Sequence, residues 1–364
     1  KLFILKIFNT ITAFYKDKLP FVVYRKPNEN NISGFFMNDD SLMFTENFTE
    51  SGFVFAPFNV DEKAILFSSE KATFLEEELL LKDFNFDENE SLVDEDSKEY
   101  HIKIVEKAID EINKSDLQKV VISRKELVQL SDFELLLVYQ KLLKKYQNAF
   151  VYVWFHPNVG LWLGATPEIL LQISDANFKT MSLAGTQVAN KDSESTSTEQ
   201  INVVWKSKEL EEQQLVTDFI EKQLATISSN LKIDKTETIR AGNLLHLRTK
   251  VEGKLLEKAD LKSLIRALHP TAAVCGLPRN MARDFIIKNE NYNRSYYTGF
   301  LGELNLKKSD FEVQSSQLYV NLRCMEINHN KASIYVGGGI TKDSIPKNEW
   351  KETVSKSETM KKVL

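Results

Sequence analysis

Two cysteines in 364 residues, Cys275 and Cys324, leave little room for cysteine chemistry. No CxxC pair exists, so neither a zinc site nor a disulfide framework is expected, and the pattern suits a reducing, cytoplasmic setting. An excess of positive charge is also missing. Lys and Arg number 47 against 52 Asp and Glu, a net charge of −5, with a pI near 5.8. That balance argues against nucleic acid or an anionic membrane surface as a partner. No apolar run approaches the about 20 residues needed to cross a bilayer. The most signal-like stretch, Lys1 to Phe8, is interrupted by Lys6, and Phe3, Ile4, Ile7, Phe8, Ile11 and Phe14 recur at helical spacing. An amphipathic helix packed on the domain is expected there. Internal repeats and low-complexity tracts are lacking, and no long apolar surface segment calls for a second copy, so a monomer is expected.

What is present is a large apolar complement, 42% of the chain, enough for a sizeable core. Residues 1–100 are weakly characteristic but do not differ in composition from the rest, so they are read as part of the same domain as residues 101–364. Pro20–Tyr24 and Gly52–Pro57 read as strands among turns, and the acidic stretch 84–97 as an exposed loop. Tyr100–Lys114 is an amphipathic helix with Ile104, Ala108 and Ile112 on one stripe. A β-branched strand, Leu117–Arg124, follows, then a helix over Asp132–Lys145. Strands come next at Ala149–Phe155 and Gly160–Gly164, and another ends in Met181–Gln187. The segment Val188–Gln200 is polar and reads as a mobile loop able to act as a lid. A long helix over Ile201–Leu224, a strand over Leu244–Lys250 and a terminal helix opened by Ser344 and Pro346 complete the pattern.

Several of these elements carry polar groups with two readings each. Lys119, at a strand start, is either a solubility device at a sheet edge or, if its face is buried, an amine whose neutral form is favoured and can act as a base. Glu168 follows Pro167, which interrupts a regular strand; it is an exposed turn residue or a carboxylic acid held among Trp and Leu. Glu212 points along the apolar stripe of Leu215, Val216, Phe219 and Ile220. It therefore needs a metal ion, an Arg or Lys partner, or exposure near the helix start. Glu349, Glu352 and Lys356 share one helix face, which is either a solvated ion-paired surface or a hard-cation site beside an ammonium. The Gly185–Thr186 pair could offer N–H groups and a hydroxyl to an anion.

In this order the motifs KVVISR, GATPEIL, SLAGT, LEEQQLV, LLHL, HPTAAVCG, RSYYTG, NLRC, VGGGI and EWKETVSK resemble the chorismate-utilising enzymes. The resemblance covers Lys119 to the C-terminus. It implies one large α+β domain of extensive antiparallel sheets flanked by helices, with residues 101–364 as the chorismate-binding catalytic region. It also implies a Mg²⁺-dependent site in the central cleft. Members that add ammonia carry Gln where this chain has Lys119, so the lysine implies water as nucleophile. At Ala273, members that go on to expel pyruvate typically carry Thr, and those that stop at isochorismate carry Ala. The N-terminal motif that binds tryptophan in anthranilate synthases is not recognisable. The resemblance thus implies isomerisation of chorismate to isochorismate, for menaquinone or siderophore synthesis. Salicylate formation, or an inactive chorismate-binding subunit, is the alternative.

The resemblance further implies roles. Lys119 takes a proton from water attacking C2 of chorismate, and Glu168 protonates the departing C4 hydroxyl, one base and one acid tuned by burial. Glu212 and Glu352, with Glu349 directly or through water, hold Mg²⁺. Lys356 and Gly337 hold the ring carboxylate with the metal, and Arg323 and Tyr297 grip the enolpyruvyl carboxylate. His246 lies near the reacting ring, Gly185 and Thr186 line the C4 side, and Ala273 faces the substrate. The chain departs from many relatives at Gln213 (His), Gln187 (Arg) and Ala272 (Pro), none of which removes a proposed catalytic group.

Overall fold

The computed structural model describes residues 6–80, 96–188, 203–241, 244–307 and 313–364. The expected loops at 84–97 and 188–200 lie almost entirely outside them. Among the described residues the chain forms seven helices: α1 Lys6–Lys16, α2 Asp96–Lys114, α3 Leu135–Lys145, α4 Ser207–Leu224, α5 Leu261–Leu268, α6 Arg279–Asn289 and α7 Pro346–Lys361. The α4 helix starts at Ser207 rather than Ile201. The Lys206 N–H donates to Glu209 Oε2 (3.1 Å), which caps the helix at that point. Just before it, the Trp205 ring N–H donates to Thr238 Oγ1 (2.9 Å) and ties the non-helical approach to a strand. The strand expected to end at Arg124 runs on to Gln129, because it pairs along its length with Lys331–Ile340.

Two antiparallel sheets dominate. The first runs, edge to edge, through Gly276–Leu277, Lys119–Gln129, Lys331–Ile340, Cys324–Asn328, Gly160–Thr166, Phe150–His156, Phe21–Arg25, Asn31–Met37 and Ala72–Glu78. The second runs through Ser228–Ile233, Leu244–Leu255, Asn177–Val188, Ile169–Ser174, Ser315–Val320, Phe300–Leu306, Gly52–Ala56, Ala64–Ser68 and Phe44–Thr45, with Glu237–Ala241 paired to Leu244–Leu255. Strands from the first hundred residues enter both sheets. This is the single α+β domain of antiparallel sheets flanked by helices that the motifs imply.

Alternation along the strands explains the layering. In Phe150–His156, Val151 and Val153 face α1 and α3, while Phe150, Tyr152 and Trp154 face the other sheet. The space between the sheets is filled by aromatics, among them Trp154, Trp162, Tyr24, Phe53 and Phe55. The outer face of the second sheet is covered by α4 and α5 through Val216, Ile220, Leu264 and Leu268. Pro167 falls where the chain leaves the first sheet at Thr166 and enters the second at Ile169. A residue without an N–H suits a position where no ladder continues. Glu168 is thereby placed at the junction of the sheets.

Candidate active site

Lys119 opens its strand and is fully buried. It is not a sheet-edge lysine, because Leu277 pairs with it on the outer side. Its Nζ lies 2.9 Å from Glu212 Oε1, an ion-pair contact without the alignment of a hydrogen bond. Of the partners open to Glu212 in the sequence, the lysine is the one the fold supplies. Burial alone would raise the Glu212 carboxyl, but Lys119, with Lys208 and Lys356, outweighs it and holds the group below its usual range.

Glu168 behaves in the opposite way. It is buried, and desolvation pushes its carboxyl up to about 8 against the opposing charge of Lys119 and, more weakly, Arg323 and Lys356. An acid of this kind is protonated at neutral pH and can give up its proton near it. Lys119 and Glu168 come from different walls, a strand of the first sheet and the junction between sheets, yet stand within electrostatic reach of one another.

Gly185 sits in a bulge opposite His246, with φ of +67°, a conformation that a glycine adopts without strain. His246 Nδ1 lies 3.1 Å from the Gly185 carbonyl and 3.3 Å from Thr186 Oγ1, which points to the tautomer with hydrogen on Nδ1. Its Nε2 then faces Arg323 NH2 at 3.5 Å. Burial, helped by Arg323 and Lys356, pulls this imidazole down to about 3, so it is a neutral group. Arg323 adopts φ of +47° and, among the described residues, is in ion-pair contact with no carboxylate, so its guanidinium is available to an anion. Tyr297 is buried beside it and stacks on Tyr335 with centroids 5.4 Å apart.

The α7 face is not a solvated surface: Glu349 is only 2% exposed. Each of the three candidate metal ligands leans on a lysine. Glu212 meets Lys119, Glu349 meets Lys208 at 2.5 Å and Glu352 meets Lys356 at 2.6 Å. The three carboxylates flank two consecutive glycines. A Cβ on Gly338 would lie 3.7 Å from both Glu349 Oε2 and Glu352 Oε1, and one on Gly339 would lie 2.4 Å from Glu212 Oε1. Burial, and after it the charge of Glu352, raises the Glu349 carboxyl in spite of Lys208. Among the described residues no three such side chains close on one point as they stand. In donor type, all carboxylate oxygen, and in its need for positive charge, the cluster fits Mg²⁺.

Of the residues singled out from the sequence, Glu168, Gly185, Thr186, Glu212, His246, Ala273, Tyr297, Arg323, Gly337, Glu352 and Lys356 line one cleft. Lys119 and Glu349 stand behind it, in contact with Glu212 and beside Gly338 respectively. Lys356 also donates to the Gly337 carbonyl at 2.9 Å.

Three further residues shape the site without having been given a role in it from the sequence. Gly339 lets Lys119 and Glu212 meet, since its missing Cβ would also come within 3.0 Å of Lys119 Cε. Gln213 bridges α4 to the second sheet: its Oε1 accepts from the Ala184 N–H (2.9 Å) and its amide donates to Ser182 Oγ (2.8 Å) and Thr249 Oγ1 (2.9 Å). A neutral amide thus fills the place where the family resemblance leads a His to be expected. Arg294 pairs with Glu290 and donates to the carbonyls of Val121 (2.7 Å) and Val274 (2.9 Å). It locks the HPTAAVCG turn onto the Lys119 strand. The spacing of Lys208 one helical turn before Glu212 was the available signal for that lysine; Gly339 and Arg294 stood in the quoted motifs but only contacts reveal their work.

Residues 59–364 match the family model described as chorismate binding enzyme. The chain is 30% identical over 263 residues, 72% of its length, to the isochorismate synthase MenF of Escherichia coli, and spans 59% of the length of that protein. Its fold is similar to that of a putative 2,3-dihydroxybenzoate-specific isochorismate synthase of Bacillus anthracis, with a TM-score of 0.79, 22% identity and coverage of 98% and 99% of the two chains. It is also similar to the solved menaquinone-specific isochorismate synthase of E. coli, with a TM-score of 0.76, 22% identity and coverage of 95% and 88%.

Proposed function

The chain belongs to the chorismate binding enzymes, and on that premise we propose that it is an isochorismate synthase, an isomerase acting on chorismate. The observation that carries this reading is the pairing of a buried lysine, Lys119, with a buried carboxylic acid, Glu168, whose proton is held up to about 8. Lys119 would accept a proton from the water that forms a bond to C2. Glu168 would deliver a proton to the hydroxyl whose bond to C4 breaks as the ring double bonds shift. One water enters and one leaves, so the net change is an isomerisation. Before Lys119 could act as the base, its contact with Glu212 would have to relax and its ammonium give up a proton to solvent.

Chorismate is a dianion, and the site supports two anchors for it. Arg323, free of carboxylate partners among the described residues and next to Tyr297, would take the enolpyruvyl carboxylate. Lys356 and the Gly337 backbone would take the ring carboxylate. Glu212, Glu349 and Glu352 would hold Mg²⁺, which when bound supplies positive charge that neutralises and orients that carboxylate. Neutral His246, fixed by Gly185 and Thr186, would face the ring without adding charge. Ala273, small and lining the cleft, supports reaction without pyruvate loss. A cytoplasmic monomer remains the expectation from the sequence; no helix among the described residues is long and apolar enough to cross a membrane.

The test is product analysis after incubation with chorismate and Mg²⁺, and again with EDTA. Isochorismate formed without pyruvate, and only with metal, supports the reading. Salicylate with pyruvate moves the chain to salicylate synthesis, and no turnover favours an inactive chorismate binder.

A further inference from the structure

The three carboxylates of the cleft have three lysines, and these lysines are not alike. Lys119 is fully buried, and Lys356, 14% exposed, has a second acceptor in the Gly337 carbonyl. Lys208 is 27% exposed and, among the described residues, makes one ion-pair contact, to Glu349. It lies one helical turn before Glu212 on α4, so the two share a face. Its ammonium stands in the field of Glu349 first, and then of Glu352 and Glu212. Lys208 also lines a separate outer groove, whose charged lining is otherwise Asp116, Glu211 and Asp343 against one lysine, Lys342. Lys208 is therefore at a boundary, with the carboxylate cluster on one side and alternative acidic partners toward solvent on the other.

We propose that Lys208 is a built-in stand-in for the divalent cation, seated among Glu349, Glu352 and Glu212 until Mg²⁺ displaces it toward the outer groove. The inference rests on the reading of these glutamates as the metal site. A long, flexible lysine stem makes such a move without backbone change. Charge counting gives it a purpose. With Lys208 seated, the formal charges of three lysines and three glutamates cancel. Exchanging the singly charged Lys208 for a divalent ion would add one positive charge to this set. Arg323 already lines the cleft, so metal entry would make it more cationic and more attractive to a substrate carboxylate. Lys208 keeps the buried carboxylates neutralised in the meantime, which unpaired charges would otherwise make costly.

The experiment is calorimetric titration of Mg²⁺ into the wild-type protein, Lys208→Met and Lys208→Gln. It is paired with acetylation footprinting of wild-type Lys208 by mass spectrometry, with and without saturating Mg²⁺. Removing a competitor of this strength should tighten Mg²⁺ binding by roughly three- to tenfold in both variants. In the wild type, acetylation of Lys208 should rise when Mg²⁺ is added. Acetylation that stays level or falls with bound Mg²⁺ overturns the stand-in role even if the variants fail to fold. Equal or weaker Mg²⁺ binding in well-folded variants overturns it too, and leaves the metal reading intact. If wild type and variants alike bind no Mg²⁺, both readings fall.

Discussion

Lys119 Nζ meets Glu212 Oε1 at 2.9 Å beside Gly339, joining the proposed base to a proposed metal ligand in one ion pair. The two residues come from different layers, a strand of one sheet and the helix covering the other. Neither can change state alone. A cation that drew Glu212 away would break this pair, and Lys119, once its ammonium had given up a proton to solvent, could act as the base, so the proposed metal entry and base activation would be coupled. Such coupling would give a physical reason for the proposed metal in a reaction whose proton transfers need only side chains.

Lys119→Ala should remove the base while leaving the anchors for substrate. Loss of a positioned general base is worth about 10²–10⁴ in rate, so turnover of chorismate should fall by at least that lower bound. Binding of chorismate in the presence of Mg²⁺, followed by calorimetry, should persist. A variant that turns over at the wild-type rate would remove Lys119 from the mechanism.

Gly339→Ala tests the contact itself. The new Cβ would lie 2.4 Å from Glu212 Oε1 and 3.0 Å from Lys119 Cε, closer than side chains pack, so the pair must separate. Circular dichroism should show a folded protein, since Gly339 lies in a strand that alanine can adopt. Misplacing catalytic groups by about 1 Å costs on the order of 100-fold, and a loss of that size is expected in kcat. Unchanged kcat would show that the Lys119–Glu212 geometry does not matter to the chemistry.

Glu168 sets a pH limit. Its carboxyl, raised by burial to about 8, is the protonated acid below that pH and loses its proton above it. Activity should therefore hold on the acid side of pH 8 and fall about tenfold per unit beyond it. Stability follows the same sign. The folded-state value lies above the unfolded one, so the neutral form's contribution is fully present at acid pH. It is lost as pH climbs from the usual carboxylate range through about 8. Glu168→Gln, inactive but always neutral, should gain thermal stability relative to wild type across that interval, and thermal melts at pH 5 and 9 would reveal it.

Much of this was legible in the sequence because the motifs are local. Pro167 marked the place where the chain changes sheets, and the inward phase of Glu212 on its helix demanded a partner. The VGGGI run and the charged terminal helix beside it were among the motifs whose resemblance implied a cleft. What the sequence did not give was the pairing across layers. Lys119 could be a sheet-edge lysine until Leu277 was seen to cover it, and Glu349 could be solvated until α7 was docked. Lys208 looked like any lysine on a long helix, since its three acidic neighbours come from two helices. The start of α4 was missed because Trp205 and Glu209, not an apolar boundary, decide it.

Arg294→Ala should be a stability mutation rather than a specific catalytic one. Arg294 and Glu290 are both buried, and Glu290 also receives the Ser123 N–H at 2.8 Å. Leaving one member of such a pair without its partner costs about 3–5 kcal/mol. Chemical denaturation should show a loss of that order, whereas a value under about 1 kcal/mol would mean that water takes over the role of the arginine.

Arg323→Lys keeps the charge and discards the shape. The guanidinium has no carboxylate partner among the described residues and lies against neutral His246 and buried Tyr297, so its planar donors are left for a substrate carboxylate. A lysine offers one point charge where two parallel hydrogen bonds are wanted, and its shorter reach lets it turn toward Glu352 instead. Arg323 also holds φ of +47°, a conformation that lysine shares no better, so the exchange adds no backbone relief. If the role is to hold the enolpyruvyl carboxylate equally before and during reaction, KM for chorismate should rise about tenfold or more while kcat changes little. A fall in kcat at constant KM would instead place the arginine against charge that develops only in the transition state, nearer the departing hydroxyl than the enolpyruvyl group.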